Sequence, residues 1–411
     1  MLKFPSFFAP LSGNLLVLVT SLTIWTFVYQ MIGPYESLYV FALGGSGVIL
    51  SLISTIQTLV STVLRVIGGY LADTRSPRVL VGVVSIAMAL AYLFYIFAID
   101  WRWLVVGATL LSGQALYEPA LVAIRANSIP PASRGRGFAL YNTLPQIPAI
   151  IAPTIGGLII SNPNAPYGIN LDGGRLLYGF VLLGMLSAGV IRLLFLRISS
   201  RPTQSQADGS FSIQAFTNVF QTFRVSRGII QRLVLLNGIF MFCFHFDARF
   251  RGLYAVNIHS LTTVEWGIIT SIAQIISLVA TFGVGWLIDS YGRKRVFIPS
   301  ILLLGAAVLL FISSMSFITV LIAMILTATG LKSRMMALQV LVADAIPRPI
   351  RGRLFSLIDV SSSLGSMLSM VLAGVLYDQA PVYPFYFAAV AYLIAAIIAW
   401  LYLQEAPIRQ D

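Results

Sequence analysis

Residues 285–295, GWLIDSYGRKR, separate two long apolar runs and decide how the rest of the chain is read. Glycine is followed two places on by leucine, two further on by aspartate, and then by a basic cluster. Residues 69–78, GYLADTRSPR, repeat that order, with Asp73 and Asp289 lying 216 positions apart. Ile129, Pro130, Arg134, Gly135 and Arg136 recur at an interval of 217 as Ile346, Pro347, Arg351, Gly352 and Arg353, and Gly157 recurs as Gly374. One inserted residue accounts for the step. An interval that holds at three separated places describes two copies of a roughly 200-residue unit, too long for a solenoid repeat.

Composition names the solvent. With 58% hydrophobic residues, 10% charged residues and a mean hydropathy of +0.90, the chain has more apolar surface than a water-soluble domain can hide. Charged residues fall in short clusters between apolar runs of about 20 residues, the length that crosses a hydrocarbon core as helix. Twelve such runs are expected, at 14–40, 46–73, 79–99, 104–128, 137–161, 176–196, 228–256, 264–289, 296–315, 318–344, 354–378 and 383–403. They are called spans one to twelve below. The fold expected is an all-α integral membrane protein of two pseudo-symmetric six-helix bundles. Residues 13–197 and 228–404 form the bundles, with 198–227 a polar inter-domain loop in which 211–223 has the composition of an interfacial helix. Segments 1–12 and 405–411 are read as terminal tails, the first as mature sequence without a cleavable leader.

The formal net charge of +12 sets topology and does not suggest a nucleic-acid partner. Loops after the even-numbered spans carry Arg75, Arg78, Arg134, Arg136, Arg197, Arg201, Arg224, Arg227, Arg293, Lys294, Arg295, Arg348, Arg351 and Arg353. The opposite loops carry only Arg102 and Arg175. The basic side is therefore expected to be cytoplasmic, with both termini on it, in a multi-pass protein of the cell membrane. The single cysteine, Cys243, can make no internal disulfide. No cofactor or metal is implied: His245 and Asp247 have no third ligand at metal spacing, His259 being the only other histidine, and no GxxxxGK[ST] loop occurs.

Ionisable groups at membrane depth cost about 2.5–3.5 kcal/mol on insertion scales, so each is paired, wet or useful. In span four Glu118 and Arg125 are two turns apart on one face, and Pro119 interrupts the local hydrogen-bond ladder. Span seven contains HFDARFR, placing His245 with Arg249 and Asp247 with Arg251 at i, i+4 spacing. Lys332 and Arg334 lie in span ten. Cations outnumber acids in this set, so a cavity it lines is expected to be electropositive and to suit an anionic or carboxylate-bearing small molecule. Glu118, Asp247 or His245 is the expected proton carrier. Glu36, beside Pro34, is a further coupling candidate at the outer interface, and Arg65 and Asp359 are read as gate or packing residues.

The doubled loop pattern resembles the signature of the major facilitator superfamily. That resemblance implies that Gly69, Asp73, Arg75 and Arg78, with Gly285, Asp289, Arg293, Lys294 and Arg295, hold the cytoplasmic faces of the two halves together in the outward-open state. The second copy matches better, because Ser76 and Pro77 stand where Gly292 and Arg293 stand. In span five, APTIGG at 152–157 resembles part of the signature of proton-coupled antiporters of the drug-efflux type. Pro153 would bend the helix there, while Gly156 and Gly157 let a neighbour approach. The function expected is proton-coupled secondary transport of a small organic solute by alternating access, with efflux by antiport ahead of uptake of an organic anion. A membrane-embedded enzyme using His245 and Asp247 is the reading from another class. Protons, lipids and a small-molecule solute are the expected partners of a monomer.

Overall fold

In the computed structural model residues 8–130, 133–197, 228–345 and 351–403 are described. The inter-domain loop, the tail and the side chains of Asp73, Arg348, Arg351 and Arg353 lie outside the described residues. Among those described the chain is all helix, with one isolated bridge between Ser161 and Ile169. Among the described residues eleven helices are long and apolar enough to cross a membrane.

The remaining expected crossing, span four, is helical but broken into Trp101–Leu111 and Gln114–Ser128. At the break the Ala115 and Leu116 amides bond to Ser112 and Gly113, three residues back instead of four. The Ser112 hydroxyl bonds to the Gln57 carbonyl at 3.2 Å, and Pro119 follows inside the second piece. Span five is also interrupted, into Arg134–Thr143, Gln146–Ala149 and Ala152–Ile160, with Pro145, Pro148 and Pro153 at or beside the joins. Span seven runs as Gly228–Asp247, a turn, and Arg251–Asn257.

Two compact units emerge. One holds Met1–Gly45, Ile56–Ser212 and Thr262–Gly267; the other holds Ser46–Thr55, Ile213–Leu261 and Ile268–Asp411. The boundary runs through spans two and eight, so each of these helices begins in one unit and continues in the other.

Each unit uses the same helix pairs. Span six packs on spans one and three, as span twelve packs on spans seven and nine; span five packs on span one, as span eleven packs on span seven. Lipid tails are as apolar as the helices, so hydrophobic exclusion cannot drive these contacts and small residues are needed for close approach. A Cβ on Gly156 would overlap the Met31 carbonyl of span one, and one on Gly365 would overlap the Gly238 carbonyl of span seven. A Cβ on Gly68 would come within 2.5 Å of the Leu116 carbonyl, which brings spans two and four together.

Gly179 in span six faces open space instead. Gly156→Ala is therefore expected to lower the melting temperature of the purified protein sharply or prevent its recovery, because backbone must move. Gly179→Ala should match or exceed the native value, alanine favouring helix by up to about 1 kcal/mol. Equal melting temperatures for the two variants would contradict the contact assigned to Gly156.

Candidate functional site: charges within the spans

Arg65 and Glu118 meet in the first unit. Arg65 Nε and Nη2 lie 3.2 and 3.1 Å from Glu118 Oε2, with side chains 39% and 49% exposed. Glu118 stands ten residues before the end of its helix at Ser128, and Arg65 nine before Thr74, so both lie about 14–15 Å from those ends, near the middle of a hydrocarbon core. The spacing of Glu118 and Arg125 had suggested a shared cavity. The structure instead turns Arg125 over the rings of Tyr141 and Phe138, at 4.8 and 5.5 Å, and gives Glu118 to Arg65. Arg65, read as a gate or packing residue, is thus a member of the site. Gly68, one turn beyond it at a helix contact, was the available signal.

In the second unit Arg251 Nε bonds to Asp247 Oδ2 at 2.6 Å across the break in span seven. The pair is buried, Asp247 being 1% exposed and Arg251 8%. His245 does not complete a cluster with them; its Nδ1 lies 3.0 Å from the Met241 carbonyl one turn back. Arg334 is buried with its guanidinium 3.5 Å from the Phe240 ring centroid and about the same distance from Asn237 Oδ1. The expected electropositive cavity is reduced accordingly: Arg251 is neutralised by Asp247, Arg334 is enclosed, and Lys332 is exposed at mid-helix.

Arg192 in span six escaped the sequence reading because it lies near a helix end. Its guanidinium donates to the Ser21 and Ser85 hydroxyls at 3.0 Å and lies over Tyr117. The repeat interval relates this cluster to its counterpart, since Ser21 and Asn237 are 216 positions apart and Tyr117 and Arg334 are 217 apart. Each unit thus buries one guanidinium against the same position of its first helix, supplied by span six in one and span ten in the other.

The loop signature shows the same economy. Arg78 donates to the Leu193 and Leu194 carbonyls at 2.6 and 3.2 Å, and Lys294, 216 positions on, donates to the Trp400 carbonyl at 2.9 Å. Each caps the last helix of its unit, whose final carbonyls have no intrahelical partner and whose end carries partial negative charge. Asp289 is exposed and makes no ion pair among the described residues. Gly69 has nothing within 4 Å of a Cβ position and Gly285 only the tip of Met336, at 3.8 Å. Outside the spans, burial lowers the His259 pKa below 6.5, against a bond to the Phe311 backbone that raises it, so this imidazole stays neutral as pH falls further than usual.

Asp247→Asn would leave the Arg251 cation buried without its counter-charge, at a cost of about 3–5 kcal/mol. Thermal unfolding in detergent should show a large loss for that variant and a smaller one for Asp247→Asn with Arg251→Met. A double variant as unstable as the sum of its parts would contradict the pairing.

The Major Facilitator Superfamily profile matches residues 16–256 and again residues 252–411. An uncharacterised MFS-type transporter of Methanocaldococcus jannaschii is 23% identical over 382 residues, covering 91% of this chain and 94% of its own. Among solved structures, a bacterial homologue of the human lysosomal transporter Spinster superposes with a TM-score of 0.74 at 15% identity, covering 94% of this chain and 96% of its own. The human organic anion transporter MFSD10 gives 0.67 at 14% identity, covering 94% and 98%. With its two repeats, its apolar helices and the profile match over nearly the whole length, this chain belongs to the Major Facilitator Superfamily and is a transporter, not an enzyme.

Proposed function

We propose that the chain carries a small organic anion across the cell membrane together with a proton, by alternating access, with both termini on the cytoplasmic side. The observation that carries this reading is the half-exposed Arg65–Glu118 pair at mid-helix. A half-exposed charged pair at that depth would be costly against lipid, so its open surface is assigned to a water-filled path, along which a carboxylate can exchange protons. Protonation of Glu118 removes the charge that holds Arg65. The freed guanidinium then pairs with a carboxylate of the solute, through two parallel N–H donors. Proton and anion thus bind as a unit, and release of either restores the internal pair. Asp247 is the lesser candidate because Arg251 already neutralises it and both are buried. Arg125 and Lys332 add positive charge without a carboxylate ion-pair partner among the described residues. The fold likeness to a human organic anion transporter accords with this solute class.

Exchange of an incoming proton for an outgoing solute is the second reading. Its support is the APTIGG sequence of span five, where the Pro153 carbonyl accepts the Tyr35 hydroxyl at 2.6 Å and a Cβ on Gly157 would come within 2.6 Å of the Thr263 carbonyl.

In proteoliposomes, Glu118→Gln is expected to reduce pH-gradient-driven accumulation of the anion at least tenfold while leaving gradient-free counterflow, and Arg65→Gln is expected to abolish both. Undiminished gradient-driven accumulation in Glu118→Gln would overturn the role assigned to Glu118.

A further inference from the structure

An open cavity of about 540 Å³ lies in the second unit, lined by Lys294, Arg295, Ile298 and Pro299 of span nine and by Trp400 of span twelve. It sits at the helix ends. Lys294 is the second residue of Arg293–Ile312, and Trp400 stands two before the end of Tyr383–Tyr402. Both ends lie on the side that carries the basic loops. An indole at such an end sits where headgroups meet hydrocarbon, and long cationic side chains beside it reach the polar layer. The charge of the cavity is one-sided, because none of its five lining residues is acidic. Lys294 spends one donor on the Trp400 carbonyl at 2.9 Å, and an ammonium has three. Arg295 is exposed and makes no ion pair among the described residues. At the same end of span twelve Arg232 donates to the Tyr402 carbonyl at 3.4 Å, a third cation outside the cavity lining.

The first unit lacks this arrangement, and the repeat shows why. At the interval of 216 the counterparts of Arg295 and Ile298 are Val79 and Gly82. Valine brings no charge. A Cβ on Gly82 would lie 2.7 Å from Leu193 Cβ, so span six packs onto span three where the second unit is open. Arg78, the counterpart of Lys294, turns Nε and Nη2 onto the Leu193 and Leu194 carbonyls. Capping a helix end therefore accounts for the cation common to both units. It accounts for neither Arg295 nor the cavity.

The outer surface of span twelve indicates the occupant. Val390, Leu393, Ile397 and Trp400 are all exposed and recur at three- and four-residue steps, forming one apolar stripe that ends at the cavity. From Val390 to Trp400 the helix rises about 15 Å, half of a hydrocarbon core about 30 Å thick. We infer that the cavity binds the phosphodiester of an anionic phospholipid, whose acyl chains lie along this stripe through one leaflet. The Arg295 guanidinium takes the two non-bridging oxygens through parallel N–H donors, and Lys294 adds a point charge. A zwitterionic lipid fits less well, because its ammonium brings like charge to a site without an acid. A free phosphate would use the same donors but leave the stripe without a role. The cavity belongs to the second unit and the Arg65–Glu118 pair to the first, so the inference is independent of the solute and of proton coupling.

The test places the full-length protein in phosphatidylcholine bilayers and adds phosphatidylglycerol or phosphatidylcholine with brominated acyl chains, which quench indole emission on contact. The signal of Trp400 is the difference between the native protein and Trp400→Phe. Half-quenching is expected at a mole fraction of brominated phosphatidylglycerol about tenfold below that of brominated phosphatidylcholine. Arg295→Gln should raise the phosphatidylglycerol fraction about fivefold, the share of one cation at a lipid surface, and Arg295→Lys should raise it less. Arg232→Gln, outside the cavity, should change it by less than about twofold. Equal half-quenching by the two lipids, or equal effects of Arg295→Gln and Arg232→Gln, would overturn the site. Loss of the lipid preference on adding inorganic phosphate would overturn the lipid assignment in favour of a free anion.

Discussion

A helix leaves its first amides and last carbonyls without partners, and a bilayer offers little water to take them. How those ends are satisfied governs this protein more than any single buried charge. Arg78 and Lys294 close the ends of spans six and twelve, Thr262 and Glu265 close the start of span eight, and Asp378 closes the start of span two from another helix. Each of the four caps lies within a single unit. The last is supplied by a helix distant in sequence, Asp378 lying 330 and 331 residues beyond the amides it accepts.

The two charged sites divide the remaining work. Asp247 and Arg251 are enclosed and mutually neutralised, an arrangement that holds a broken helix together at the cost of desolvation. Arg65 and Glu118 keep about two-fifths and half of their side-chain surfaces open. In the proposed mechanism, exposure and not proximity of charges separates the structural pair from the one assigned to coupling. Buried Arg192 and Arg334, lodged against hydroxyls, an amide and aromatic faces, belong with the structural group.

Much of the fold was legible in the chain because bilayer thickness and backbone bonding leave so few solutions. Apolar run lengths gave the spans, and the interval of the GxLxD pattern gave the two copies. The break in span four was not legible: it sits at Ser112 and Gly113, before the proline that drew attention. The candidate site was legible only in part. Helical periodicity put Asp247 with Arg251 correctly, since both lie on one chain segment. It put Glu118 with Arg125, because spacing along one helix carries no information about Arg65 on its neighbour.

The central claim is that proton and anion move together. The most direct measurement is proton flux in proteoliposomes holding the native protein, with no imposed pH gradient, as members of a panel of organic anions are added outside. A transported anion should make the external medium more alkaline and the lumen more acid, in proportion to the anion taken up. Transport of an anion with no proton movement, or with protons leaving as it enters, would contradict the account.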